Sequence, residues 1–282
     1  MMNQIKTIIF LGALTALMLW FGSFWGTSGL TIALAFVLLM NIGAYFFSDK
    51  IVLMMYKAKE IKEKDAPGLF KLVKEVADDA NLPMPRVFIV PSDTPNAFAT
   101  GRSPKHSAVA CTRGIMDLLS KDELKGVIAH EMSHIGNRDT LIMVIASTIA
   151  GVISYLAMMA KFAALFGGMS GRDDREGGNA LGLLVLAIIT PIIAILIQLA
   201  ISRSREYMAD ERGARVIKNP GALASALEKL ESGVKHNPMR LGSEATSSLF
   251  IVNPFKASAM LSLLNTHPST KERVKRLREL KI

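Results

Sequence analysis

Three long stretches of this 282-residue chain carry no charged side chain: residues 7–48, 140–160 and 177–202. Charged residues make up 20% of the whole, so their absence here is segregation and not scarcity. A bilayer core of about 30 Å is crossed by ~20 helical residues, and backbone polar groups in lipid must be satisfied within a helix or a closed barrel. The first block is long enough for two crossings. Four transmembrane helices are therefore expected, near 7–25, 30–48, 141–166 and 180–201.

Lys6 followed by an apolar run also has the outline of a secretory signal. No small-x-small cleavage site follows it, and Gly26-Thr27-Ser28-Gly29 reads as a tight turn into the second run, so a retained anchor is expected. Basic residues set the orientation. Lys50, Lys57, Lys59, Lys62 and Lys64 follow the second span, and Arg203, Arg205, Arg212, Arg215 and Lys218 follow the fourth. The short loop GGMSGRDDREGGN between spans three and four mixes both signs. Both soluble segments and both termini are thus expected in the cytoplasm. The net charge of +9 suits anionic lipid headgroups better than nucleic acid. A single cysteine, Cys111, excludes an internal disulfide and agrees with a reducing compartment.

The chain divides into a membrane hairpin at 1–48, a soluble segment at 49–139, a second hairpin at 140–202 and a soluble segment at 203–282. The two soluble segments are expected to build one domain, mainly α with a small β-sheet. APGLFKLVKEVADDANL has a helical apolar period, and PRVFIV reads as a strand. NAFAT and SAVACTRGI read as paired strands joined by GRSPKH. Ser120-Lys-Asp-Glu123 is a capping box that opens a helix, and Ser269-Thr-Lys-Glu272 repeats the signature near the C-terminus. Further helices are expected near 203–217, 220–234 and 269–281.

The Ser120 helix carries His130-Glu131-x-x-His134. Residues four apart share a helix face, so both imidazoles can reach one ion. Glu131 lies about 100° round the helix, near enough to reach a water at that ion without ligating it. A catalytic zinc takes three protein ligands, so a third is needed. His106 and His236 read as exposed loop residues. Glu206 lies one turn after the fourth span, and the motif lies just before the third. An antiparallel pair of spans returns these ends to the same membrane face. Asp210, at i+4 from Glu206, is placed to orient an imidazole from behind. The same residues also read as a solvated i,i+4 network with Arg205. The flanks of the motif, Lys121, Asp122, Lys125, Asn137, Arg138 and Asp139, are too polar for the bilayer centre. That argues against an intramembrane protease. A scaffold or transporter with a fortuitous motif would hold no stoichiometric metal.

PNAFATGRSPKHSAVACTRGI, HEMSH, SRSREYMAD and THPSTKERVKRL, in this order around four apolar spans, resemble the HtpX-type membrane-bound zinc metallopeptidases, relatives of the CAAX prenyl proteases. The resemblance covers nearly the whole chain. It implies a zincin-like domain at the cytoplasmic face of a bacterial inner membrane, acting in quality control of unfolded or damaged membrane proteins. It implies one Zn²⁺ on His130, His134 and Glu206, with Glu131 as the catalytic carboxylate. Asn96 is implied as a substrate contact and His267 as a group for substrate or the oxyanion. From the residues alone Asn96 could begin a turn after Pro95, and His267 could be a loop histidine. Relatives often carry a second proline where this chain has Ser269. A peptide is expected to add in extended form to an edge strand near NAFAT or SAVAC. No Walker-type loop is present, so ATP use is not expected.

Overall fold

The computed structural model describes residues 26–142, 203–238, 250–252 and 268–282, with scattered positions between 11 and 23. Its first full element is helix α1, Gly26–Met55. From Gly26 to Phe47 its mean hydropathy is 2.1, long and apolar enough to cross a membrane. Ile32, Leu34, Phe36, Leu38, Leu39 and Ile42 are all exposed on it. An all-round apolar helix with so little packed against it is costly in water, at about 25 cal/mol per Å² of apolar surface, and normal in lipid.

Parts of the expected first span are visible beside α1. Asn41 Nδ2 donates to Thr15 Oγ1 at 3.0 Å. A side chain at Gly22 would meet Ala33 Cβ at 2.5 Å and Gly29 O at 2.7 Å, the close approach that small residues permit between membrane helices. The turn, however, is shorter than expected. Gly26, with φ at +68°, already begins the helix, and Thr27 to Gly29 belong to it. The expected spans at 141–166 and 180–201 lie outside the described residues, apart from Leu141 and Ile142.

Helix α1 does not stop at 48. It runs on to Met55, and Val52, Leu53 and Tyr56 pack into a buried cluster with Phe88, Val90, Phe98, Ala108, Ala110 and Phe250. The apolar helix is therefore docked directly on one face of the sheet.

Four strands form that sheet: β1 Lys59–Ile61, β2 Arg86–Val90, β3 Ala97–Ser103 and β4 His106–Thr112. Their order is β1-β2-β4-β3. Strand β2 runs parallel to β4, and β1–β2 and β3–β4 are antiparallel. Strand β4 is buried from Ser107 to Thr112 because both faces are covered. Ala108 and Ala110 meet α1, while Val109 and Cys111 face the helical core. The expected β3–β4 pair is present, though its strands use most of GRSPKH and leave only Pro104 and Lys105 as the turn.

The other face is covered by helices: α2 Pro67–Asp79, α3 Arg113–Leu118, α4 Lys121–Asn137, α5 Arg203–Ile217, α6 Pro220–His236 and α7 Thr270–Glu279. The shared core includes Val73, Val76, Val127, Ile128, Leu223, Leu227, Leu230 and Leu277. Helices from both soluble segments thus enclose one interior. Helix α4 starts on the expected capping box, with Ser120 Oγ accepting from Glu123 N–H and Glu123 Oε2 accepting from Ser120 N–H. Burial raises the Glu123 pKa, but hydrogen bonds from Lys229, Ser225 and Ser120 outweigh it and hold the carboxyl down at about 2. At the far end Arg138 takes the left-handed conformation, φ 58° and ψ 33°, and closes the helix on His134 O and Ile135 O. That turn brings Asp139 back beneath His134.

Candidate metal centre

Helix α4 is buried along most of its length, so its two histidines point into protein. Their Nε2 atoms lie 3.2 Å apart. Glu206, from the first turn of α5, completes the group, with Oε2 3.7 Å from His130 Nε2 and Oε1 3.5 Å from His134 Nε2. A tetrahedral ion with bonds of about 2.0–2.2 Å holds neighbouring donor atoms roughly 3.3–3.5 Å apart. The three donors fit one such ion, and they are the metal-competent cluster among the described residues.

Each imidazole is oriented from behind. His130 Nδ1 donates to Asp210 Oδ1 at 2.9 Å, which presents its Nε2 lone pair to the site. His134 Nδ1 faces Asp139 Oδ2 at 3.3 Å. Each carboxylate is in turn met by a buried arginine. Arg273 donates from Nε and Nη2 to the two Asp210 oxygens at 2.8 and 2.7 Å, and Arg205 Nη1 is 3.4 Å from Asp139 Oδ1. Arg273 also donates from Nη1 to Ile251 O at 2.8 Å and approaches Glu206 Oε2 at 3.4 Å. Arg205, Glu206 and Asp210 are all buried, which rules out a solvated surface network.

The charge balance points the same way. Among the described residues, Glu131, Asp139, Glu206 and Asp210 are buried against two buried guanidiniums, Arg205 and Arg273. With neutral imidazoles the cluster carries two uncompensated negative charges, which a divalent cation neutralises. In the field of the protein's own charges, burial pushes the Glu131 carboxyl up to about 8, with His134 opposing and Glu206 adding to the rise. Burial disfavours the His134 imidazolium, but Asp139 and Glu206 overcome it and carry its pKa up to about 10. His130 moves the other way, lowered by burial against the pull of Asp210. The rise at His134 shows that Asp139 and Glu206 favour positive charge at that imidazole.

Glu131 borders the same small space, together with Ala99, Thr140 and Phe250. Its Oε2 accepts from Ala99 N–H at 2.8 Å, so strand β3 holds the carboxylate. Thr140 Oγ1 donates to Gly101 O at 2.8 Å and ties the same strand to the segment that follows α4. Asn96 is fully buried. Its Nδ2 donates to Val252 O at 2.8 Å, and its Oδ1 accepts from Ala97 N–H at 3.0 Å. It thus joins the start of β3 to the 250–252 segment. His267 lies outside the described residues. His106 and His236 are exposed, as expected, but they lie at the ends of β4 and α6 and not in loops.

Two buried groups escaped the sequence reading. Asp139 looked like a polar flank of the motif. Arg273 occupies the apolar stripe that Val274 and Leu277 continue on α7; a charge where that period calls for an apolar residue was the available signal. Helix α5 reaches the site because it carries Gly213 where it crosses α4. A Cβ there would lie 2.8 Å from His130 N and 3.0 Å from Ala129 C. Gly213→Ala is expected to push the helices apart, at a cost of roughly 1–3 kcal/mol for overpacking, and to draw Glu206 off the imidazoles. Thermal unfolding and bound-metal analysis of the purified variant should both fall below wild type.

A family model described as "Peptidase family M48" matches residues 63–281. The chain belongs to peptidase family M48. Within it, the chain is 51% identical to a protease HtpX homolog of Syntrophobacter fumaroxidans over 99% of both chains. It is 52% identical to the homolog of Aquifex aeolicus, over 90% of this chain and 85% of that one. With the homolog of Pyrococcus furiosus it shares 48% identity over 98% and 95%. The crystal structure of S. mikatae Ste24p superposes with a TM-score of 0.54 at 20% identity, over 98% of this chain. The chain spans 65% of the length of that Ste24p, so this likeness speaks for the fold alone. The M48 membership and the buried donor cluster together make the chain a metalloprotease.

Proposed function

We propose that this M48 protease is a zinc-dependent endopeptidase of four membrane spans that cuts peptide bonds at the cytoplasmic membrane face. Its substrates are unfolded or damaged segments of membrane proteins. The observation that carries the reading is the spacing of His130, His134 and Glu206 with Glu131 beside them, in a body packed onto an apolar helix of spanning length. Zinc held there supplies a water of lowered pKa, about 7, and polarises the scissile carbonyl.

The rest falls to the chain's own residues. Glu131, fixed through Oε2 by Ala99 N–H, takes one proton from the attacking water and delivers it to the leaving amine nitrogen. Asp210 and Asp139 keep the two Nε2 atoms aimed inward. Strand β4 has neighbours on both sides, so of the two strands expected to receive a peptide only β3 offers an edge. An extended substrate aligns along the outer side of β3 and donates its own N–H groups to the strand's carbonyls, because the Ala97 and Ala99 N–H groups are taken by Asn96 Oδ1 and Glu131 Oε2. Such main-chain pairing makes little demand on sequence. Asn96 serves this by pinning the start of that edge, and His267 meets the substrate or the oxyanion.

Digestion of an unfolded protein such as casein by the detergent-purified chain is the test. Activity should vanish with a chelator and return with one equivalent of zinc. Full hydrolysis in chelator would remove the proposal. Orientation is testable by engineered cysteines, because burial pushes the Cys111 thiol up to about 12 and leaves it unreactive. A cysteine introduced at Gly136 should be labelled only when the cytoplasmic side is accessible.

A further inference from the structure

Where α1 leaves its apolar stretch, the β3–β4 hairpin and the start of β2 come up against it and enclose a cleft of about 580 Å³. That lies within the ~300–1,000 Å³ of small-ligand sites. One wall is apolar: Ile42, Phe46 and Phe47 of α1, all about half exposed. The other is basic, made by Lys50, Arg102 and Lys105. Arg86 and Asp49 also line it, but they pair with each other at 2.9 Å. Among the described residues no carboxylate lies within ion-pair distance of Lys50, Arg102 or Lys105, so the rim keeps a surplus of positive charge.

Along α1 the lining passes from Phe46 to Lys50 within about one helical turn. Ile42 and Phe46 stand at i and i+4 on one face of α1, continuous with its exposed apolar surface. The Arg102 guanidinium sits 5.4 Å from the Phe46 ring centre, and Lys50 Nζ sits 5.3 Å from that of Phe47. An occupant must therefore present an anion to the hairpin and to Lys50 at the basic end of α1, and hydrocarbon to the apolar turns of α1 before it. It must also reach the cleft from the side on which α1 meets lipid. A nucleotide or an acidic peptide meets the first demand and not the second.

We infer that this cleft binds one anionic phospholipid, its phosphate held by Lys50, Arg102 and Lys105 and its acyl chains laid along Ile42, Phe46 and Phe47. The inference rests on α1 being a membrane span. That reading fails separately, if alkaline carbonate extracts the chain from membranes.

Native mass spectrometry of the full chain in neutral detergent, titrated with phosphatidylglycerol or phosphatidylcholine of equal chain length, tests the site. Wild type should hold one phosphatidylglycerol in preference to phosphatidylcholine. Arg102→Gln with Lys105→Gln should bind it roughly 10–30-fold more weakly, since each basic group near a lipid surface contributes a several-fold gain. Lys71→Gln with Lys74→Gln, exposed on α2, should match wild type. Lys105→Gln alone, at the exposed hairpin turn, gives a milder variant with an expected loss of about fivefold. Equal binding of the two lipids, or undiminished binding by the cleft variants, overturns the inference. Displacement of the lipid by inorganic phosphate at constant ionic strength also overturns it, by making the cleft a phosphate site.

Discussion

Glu131→Gln should lower peptide hydrolysis by roughly 10²–10⁴-fold while leaving the bound zinc stoichiometric. Glutamine has the shape of glutamate and can still accept from Ala99 N–H, the bond that fixes Glu131 Oε2 at 2.8 Å. What it cannot do is take a proton from water and pass it on. The three donors are untouched, because Glu131 borders the ion site without belonging to the donor group. Burial raises the Glu131 pKa to about 8 in the protein's own field, and a neighbouring dication pulls it back down. Assaying zinc and casein cleavage on one preparation separates this role from ligation. Full activity in a zinc-replete variant would mean that another group moves the proton.

Arg273→Leu should cost about 3–5 kcal/mol of stability, the usual penalty for stranding a buried charge. It should also weaken zinc binding roughly 10–100-fold, as loss of support behind a ligand does. Burial raises the Asp210 pKa, and Arg273 more than reverses that and holds the carboxyl below its ordinary value. Without the guanidinium, Asp210 is left with His130 as its partner in a dry interior, and Ile251 O loses its donor. Arg273→Lys should rescue little, because an ammonium cannot bond both Asp210 oxygens and a carbonyl at once. Combining Arg273→Leu with Asp210→Leu should recover part of the unfolding temperature, since the stranded charge is gone. It should not recover zinc affinity, because His130 Nδ1 then lacks its acceptor. A double variant with wild-type affinity would show that the Asp210–Arg273 pair only holds the fold together.

The parts of this protein that were legible from sequence are those encoded locally. Ser120 and Glu123 are three residues apart, and His130 and His134 share a helix face by spacing alone. Glu206 was reachable because the expected membrane hairpin, read from the apolar runs alone, would return to the side it left. What escaped depends on distance or on register. Asn96 bonds a carbonyl 156 positions away, and Arg273 meets an aspartate 63 positions back; no local pattern reports either contact. Strand β1 is three residues long and mostly exposed, so it has neither alternation nor apolar content to reveal it. The continuation of α1 past Ser48 was hidden because Asp49 and Lys50 resemble the end of a membrane helix. They are instead the point at which the apolar helix passes into the protein core, where Val52, Leu53 and Tyr56 are buried.

Metal analysis of dialysed, full-length wild type beside Glu206→Ala decides whether two imidazoles on α4 and one carboxylate on α5 share an ion. Wild type should carry one zinc per chain, and the variant should lose it under the same dialysis while keeping its helical content. A Glu206→Ala protein that retains a full equivalent of zinc, bound as tightly as in wild type, would place the third ligand elsewhere and contradict the site described here.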